Sequence, residues 1–172
     1  MSSLRYSLVQ INALAPADFT RIIGPVFEHS AWIAEATASK RPFETLEQMH
    51  NALCETVRTA PIEKQLALIQ AHPDLVGRAA LAGTLTTAST KEQASAGLNN
   101  LSQTEIALFQ KQNTAYREKF GFPFVICARL NKKEAIITGF EYRLQNTREQ
   151  EIKTSLEEIY QIAALRLRDL IQ

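Results

Sequence analysis

Helix-start signatures recur along this chain at intervals too short for anything but a helical fold. Thr45-x-x-Gln48, Ser89-x-x-Glu92, Ser102-x-x-Glu105, Asn131-x-x-Glu134 and Thr147-x-x-Gln150 each place a short polar side chain three residues ahead of a carboxyl or amide. That pairing satisfies two of the amide donors that every helix leaves unbonded at its start. Most are followed by apolar residues at a helical period, and no stretch sustains a period of two. Only 6 glycines and 6 prolines punctuate the 172 residues. The sequence predicts an all-α protein: a single-domain bundle of about eight helices over residues 1–172, long enough to bury a core of its own.

The breakers place the remaining ends. Pro16 suits the first turn of a helix that stops near Gly24-Pro25, and a second helix is expected from Val26 to Thr37. Pro61 opens a helix whose expected buried stripe is Ile62, Leu66 and Ile69, and Pro73 stops it at or near His72. Gly77–Thr87 reads as loop with one short helical turn. Ser89 is expected to cap the next helix, whose small residues Ala94-Ser95-Ala96-Gly97 permit close approach of a neighbour. Asn131 is expected to cap another. The segment Phe120-Gly121-Phe122-Pro123-Phe124 interrupts the helical pattern with an apolar, extended stretch.

Three places carry side chains suited to acid–base chemistry on a small anion. His72 sits where a helix C-terminus meets a proline, at the edge of the apolar stripe, half in and half out. A helix C-terminus favours a protonated imidazole, and Pro73 fixes its corner. The plain alternative is a histidine that only caps carbonyls. Ser89, Glu92 and Gln93 supply a hydroxyl, a carboxyl and an amide at an expected helix start, where free N–H groups attract anions. The plain alternative is a cap and nothing more. Arg166 is the sharpest anomaly: Ile152, Leu156, Ile159, Ala163, Leu167 and Leu170 make one apolar face of the last helix, and Arg166 projects onto it. A buried guanidinium must meet a carboxylate, carbonyls, a partner chain or an anionic ligand. Asn113 falls on the Ile106/Phe109 face as a core amide.

Other chemistries fit poorly. A net charge of +1 gives no electrostatic footprint for nucleic acid or an anionic membrane. His29, His50 and His72 lack metal-site spacing, and Glu47-x-x-His50 is half of a di-iron signature without its second copy. The glycines fit neither a Walker loop nor a dinucleotide fingerprint. Cys54 and Cys127 stand far apart and are expected as buried, reduced thiols. Reduced thiols point to a cytoplasmic protein; the N-terminus shows no leader-like apolar run and the C-terminus no peroxisomal tripeptide, which fits that expectation. Residue by residue, this leaves open an enzyme with a small-anion site or a non-enzymatic helical interaction module.

Taken together, the motifs resemble the OHCU decarboxylase family of urate degradation, OHCU being 2-oxo-4-hydroxy-4-carboxy-5-ureidoimidazoline. The resemblance runs through Trp32-Ile33-Ala34-Glu35, Arg41-Pro42-Phe43, Ala71-His72-Pro73-Asp74-Leu75 and Ser89-Thr90-Lys91-Glu92-Gln93-Ala94-Ser95-Ala96-Gly97-Leu98. It continues through Tyr116-x-x-Lys119-Phe120-Gly121-Phe122-Pro123-Phe124, Arg143-Leu144-x-Asn146 and Leu165-Arg166-Leu167. It implies an all-helical lyase, without cofactor or metal and usually a homodimer, that converts OHCU to (S)-allantoin and carbon dioxide. It implies His72 and Glu92 as the catalytic pair. Ser89, Gln93 and Arg166 would bind substrate, with Pro73 packing near the ring and backbone groups around Phe122-Pro123-Phe124 touching it. A related lyase or hydrolase acting on another ureide would be a variation on the same scaffold.

Overall fold

The computed structural model describes residues 4–172. Among these lie ten α-helices: α1 (Leu8–Ala13), α2 (Pro16–Ile23), α3 (Trp32–Thr37), α4 (Leu46–Arg58), α5 (Ile62–Gln70), α6 (Arg78–Ala82), α7 (Thr87–Ser95), α8 (Gln103–Phe120), α9 (Lys133–Arg143) and α10 (Arg148–Leu170). Short 3-10 turns occupy Gly24–Val26, Ala38–Lys40 and Ala128–Leu130. No strand occurs among the described residues; a lone parallel bridge joins Tyr6 to Ile171. The fold is all-α, as the capping pattern requires. No described helix is long and apolar enough to cross a membrane. Met1–Ser3, on which the leader reading partly rests, lie outside the described residues.

Local chemistry explains most of the boundaries. Thr45 Oγ1 accepts from the Gln48 amide at 3.0 Å, starting α4. Ser102 and Glu105 form a complete reciprocal capping box at α8, and Gly121, at φ +80°, ends that helix in the left-handed region that favours glycine. Thr147 and Gln150 exchange the same pair of bonds at α10. Helix α1 was missed, although Ser7 and Gln10 form a full capping box there.

Several expectations are corrected. The single helix over Val26–Thr37 is broken: His29 takes φ +46° and Ser30 Oγ donates to Glu28 O at 2.8 Å, so helical structure resumes only at Trp32. On α5, Leu68 and Ile69 are buried while Ile62 is 47% exposed, because the helix turns its C-terminal half inward. The cap of α7 is Thr86, whose hydroxyl accepts from the Ser89 amide at 3.2 Å; Ser89 lies inside the helix. Lys132, not Asn131, precedes α9, and Asn131 Nδ2 instead donates to Cys127 O at 3.0 Å.

The chain forms two compact units, residues 1–71 with 160–172, and residues 72–159. The first is built on Ile11, Phe19, Ile23, Phe27, Ile33, Met49, Leu53, Val57 and Leu167, all buried. Asn12 ties into it by a reciprocal pair of bonds with the Phe43 backbone. The second is built on aromatic rings. Phe124 stacks on Phe140 with centroids 3.8 Å apart, and Tyr116 meets Phe124 edge-on at 5.3 Å. Cys54 and Cys127 are buried free thiols, one in each unit.

Candidate active site

His72 opens the second unit directly after α5, and it is buried at 6% exposure; it does not stand half out as the helical projection suggested. The chain then runs through half-buried Pro73 into a tight corner. Arg117 Nε donates to both carboxylate oxygens of Asp74, at 2.9 and 3.1 Å, fastening the corner to α8. Asn113 Nδ2 donates to Leu75 O at 2.8 Å from the same helix. Gly77 is required: a Cβ there would stand 2.6 Å from that of Asp74. Val76 sits at φ +53°, a conformation a β-branched residue adopts only when its surroundings impose it.

What holds Val76 there is Gln93. Its Oε1 accepts the Val76 N–H at 3.1 Å. Because a backbone N–H bonds only to an acceptor, this contact also fixes the orientation of the Gln93 amide, leaving its NH2 as the donor end. Ser89, Glu92 and Gln93 lie three and four residues apart inside α7, so they share one face. Ser89 and Gln93 are buried, and Glu92 is half-buried. Ser89 thus stands in the first turn of α7 rather than at its cap, and with Gln93 it is buried.

The stretch from Phe122 to Ala128 follows α8 and leads into the turn on which α7 packs. Helix α7 packs on the 3-10 turn Ala128–Leu130, and Lys132 Nζ donates to Ser95 O at 2.7 Å. Burial raises the pKa of the Cys127 thiol, and the carboxylates of Glu158 and Glu92 push it the same way. Phe122 and Phe124 are fully buried. Val125 O accepts from Arg143 Nη1 at 2.6 Å, and the Cys127 N–H donates to Glu158 Oε2 at 3.2 Å. The N–H groups of Phe124, Val125 and Ile126 find no acceptor among the described residues. Phe124 and Val125 are buried and Ile126 is half-buried; backbone donors left so are rare in folded proteins, and they suit an anionic guest.

The structure thus brings the His72–Val76 corner and Gln93 together, and packs the helix that bears Glu92 on the Ala128–Leu130 turn. Arg166 belongs to the other unit. It is buried, with Nη1 2.9 Å from Glu28 Oε2 and 3.4–3.5 Å from the carbonyls of Pro25 and Val26. Its burial on an apolar helix face was legible; its partner was not.

Sequence reading also missed a buried network in the second unit. Arg143 Nε donates to Glu151 Oε1 at 2.7 Å, Tyr116 Oη donates to the same oxygen, and Asn146 Nδ2 donates to Oε2 at 2.9 Å. The available signal was an arginine in register with Ile136 and Phe140 on α9. Burial pushes the Tyr116 pKa far above its ordinary 10.0, and Glu151 adds to this against the opposing pull of Arg143. Below pH 10.0 the phenol is neutral in folded and unfolded chains alike. Above it the unfolded chain releases a proton that the folded one keeps, so unfolding gains as pH rises. A tyrosinate absorbance titration should show one phenol ionising only on unfolding. Tyr116→Phe should remove that delayed step.

Against this geometry, the comparisons with known proteins are decisive about kinship. The model of the OHCU decarboxylase family matches residues 12–168, which spans both units. The chain belongs to that family. It is 41% identical over 161 residues to a 2-oxo-4-hydroxy-4-carboxy-5-ureidoimidazoline decarboxylase of Haloferax volcanii, covering 94% of each chain. A crystal structure of (S)-allantoin synthase superposes with a TM-score of 0.78 at 28% identity, over 96% of this chain and 54% of that one, so this chain spans about half of that protein. A crystal structure of OHCU decarboxylase in the presence of (S)-allantoin gives 0.69 at 21% identity, covering 84% of this chain and 94% of that one, a likeness of fold.

Proposed function

We infer that this protein is a carboxy-lyase that converts OHCU to (S)-allantoin and carbon dioxide in urate degradation. The observation that carries the reading is the Gln93–Val76 bond of 3.1 Å, which locks the His72-Pro73 corner onto the helix that bears Glu92. In decarboxylation the bond between the ring carbon and the carboxylate breaks. Its electron pair forms a double bond to the carbon that carries the ureido group, and the π pair of the adjacent C=N bond moves onto the ring nitrogen, which takes a proton, so the substrate supplies its own electron sink. Protonation of the carbon that carries the ureido group, with loss of the hydroxyl proton, leaves the former hydroxyl-bearing carbon as a carbonyl. The carboxylate substrate plus one proton equals product plus carbon dioxide, and no oxidant, reductant or other reagent enters the balance.

The protein's tasks are to orient the carboxylate, to stabilise the developing enolate-like charge, and to deliver the proton to one face. His72 acts on the substrate hydroxyl or donates the proton, and Glu92 positions and exchanges one. Gln93 offers its NH2 and Ser89 its hydroxyl. The amides of Phe124–Ile126 donate to developing negative charge, with Phe122 and Phe124 packing beside the guest and Pro73 near its ring. One preorganised donor at such a charge contributes about 3 kcal/mol to barrier lowering. The family resemblance gives Arg166 the part of orienting the anion. The working form is a cytoplasmic homodimer, which light scattering tests directly.

The deciding experiment follows ultraviolet decay of freshly generated OHCU and the handedness of the allantoin formed. The uncatalysed reaction gives racemic product. Faster decay with a clear excess of the (S) form is the expected result; racemic product at the uncatalysed rate refutes the function. Unchanged OHCU alongside turnover of another ureide would move the assignment to a sister reaction.

A further inference from the structure

The motif Arg143-Leu144-x-Asn146 has no part in the chemistry above, yet its Arg143 and Asn146 side chains are both tied to the buried Glu151. Arg143 closes the Ile136/Phe140 stripe of α9, where an aliphatic residue would bury just as well. Its guanidinium instead makes four directed contacts: Nε to Glu151 at 2.7 Å, Nη1 to Val125 O at 2.6 Å, and Nη2 to Tyr116 Oη at 3.4 Å and Ser155 Oγ at 3.3 Å. Its Cζ also lies over the Phe124 ring, 4.3 Å from the centroid. Glu151 and Ser155 are fully buried, and Asn146 holds the second oxygen of Glu151.

A pair this buried is poor evidence for a stability role, because apolar residues of the same volume stabilise a core as well or better. Apolar side chains cannot grip a carbonyl. Arg143 grips Val125 O, which shares its planar peptide unit with the Ile126 N–H, and covers the Phe124 ring beside the other two amides without described acceptors. Rotation of that peptide unit would swing the Ile126 N–H away from a target shared with its two neighbours. At the far end of the stretch, Glu158 fastens the Cys127 N–H.

We propose that Arg143, braced by Glu151, Tyr116 and Asn146, is a positioning residue that aims the Phe124–Ile126 amides at the reacting anion. This rests on the reading of that stretch as substrate-facing. The lysine variant is informative. Lysine keeps the charge opposite Glu151, but a single ammonium cannot span Glu151 and Val125 O while stacking on Phe124.

The test measures kcat and KM of Arg143→Lys on fresh OHCU, with backbone amide hydrogen exchange at Phe124–Ile126 and a melting curve. A triple variant, Tyr116→Phe/Arg143→Met/Glu151→Leu, removes the grip while avoiding a lone buried charge, and serves if the lysine variant fails to fold. The expected result is a folded protein with kcat lower by about 10–100-fold, KM within a few-fold of wild type, and faster exchange at those amides. A folded variant with wild-type kcat overturns the proposal, as does lost activity with unchanged exchange at Phe124–Ile126. If wild-type protein leaves OHCU untouched, the functional reading fails on its own, and the exchange rates alone then decide whether Arg143 holds these amides.

Discussion

His72→Asn folds and loses about 10²–10⁴-fold of its catalysed OHCU decarboxylation, the range spanned by a positioned general acid or base. Asparagine keeps a polar, hydrogen-bonding side chain in a buried place but cannot accept and release a proton near neutral pH. The corner itself should survive, because its fastenings come from elsewhere: Arg117 on Asp74, Asn113 on Leu75 O and Gln93 on the Val76 amide. Rate and stereochemistry separate two roles. If His72 delivers the proton to carbon, residual product drifts toward racemic. If it acts only on the substrate hydroxyl, the rate falls while the (S) excess persists. Wild-type rate in folded His72→Asn protein removes His72 from the mechanism. Glu92→Gln, made in parallel, tests whether the neighbouring carboxylate must exchange a proton or only accept a hydrogen bond.

Much of this architecture could be read from the chain, because helix ends are local events. Thr45, Ser102 and Thr147 announce their helices through bonds reaching three residues ahead, and those bonds are present. Thr86 and Ser89 show the limit. Both are plausible caps, and the choice depends on which stretch packs against Ala128–Leu130, a contact remote in sequence. The same limit governs the site. His72 and Arg166 stood out because each breaks an apolar pattern. Glu28 did not, since a glutamate in a short irregular segment looks solvated until its guanidinium partner is found 138 residues away, at Arg166. Arg143 interrupts a stripe just as Arg166 does, and the same test applied to α9 would have exposed it. The unpaired amides of Phe124–Ile126 carry no residue signature at all. Only the path of the backbone reveals them.

Glu151→Leu should lower stability by about 3–5 kcal/mol, the range for removing one partner of a buried pair. Glu151 is 0% exposed and receives Arg143, Tyr116 and Asn146 at once. Leucine fills a similar volume, so loss of packing is small; the cost comes from a guanidinium and a phenol left in the core without their acceptor. A domain's whole stability is about 5–15 kcal/mol, so the variant approaches its limit, visible as a much lower urea midpoint. Adding Arg143→Met and Tyr116→Phe should restore most of that loss, because the stranded polar groups then disappear with their partner. The two expectations pull apart stability and catalysis. The triple variant recovers its urea midpoint but not its kcat if the network exists to aim the Phe124–Ile126 amides. It recovers both if the network only fills the core. A Glu151→Leu stability within about 1 kcal/mol of wild type would mean that water or a local shift resolvates Arg143, and that the network is looser than its 2.6–2.9 Å bonds describe.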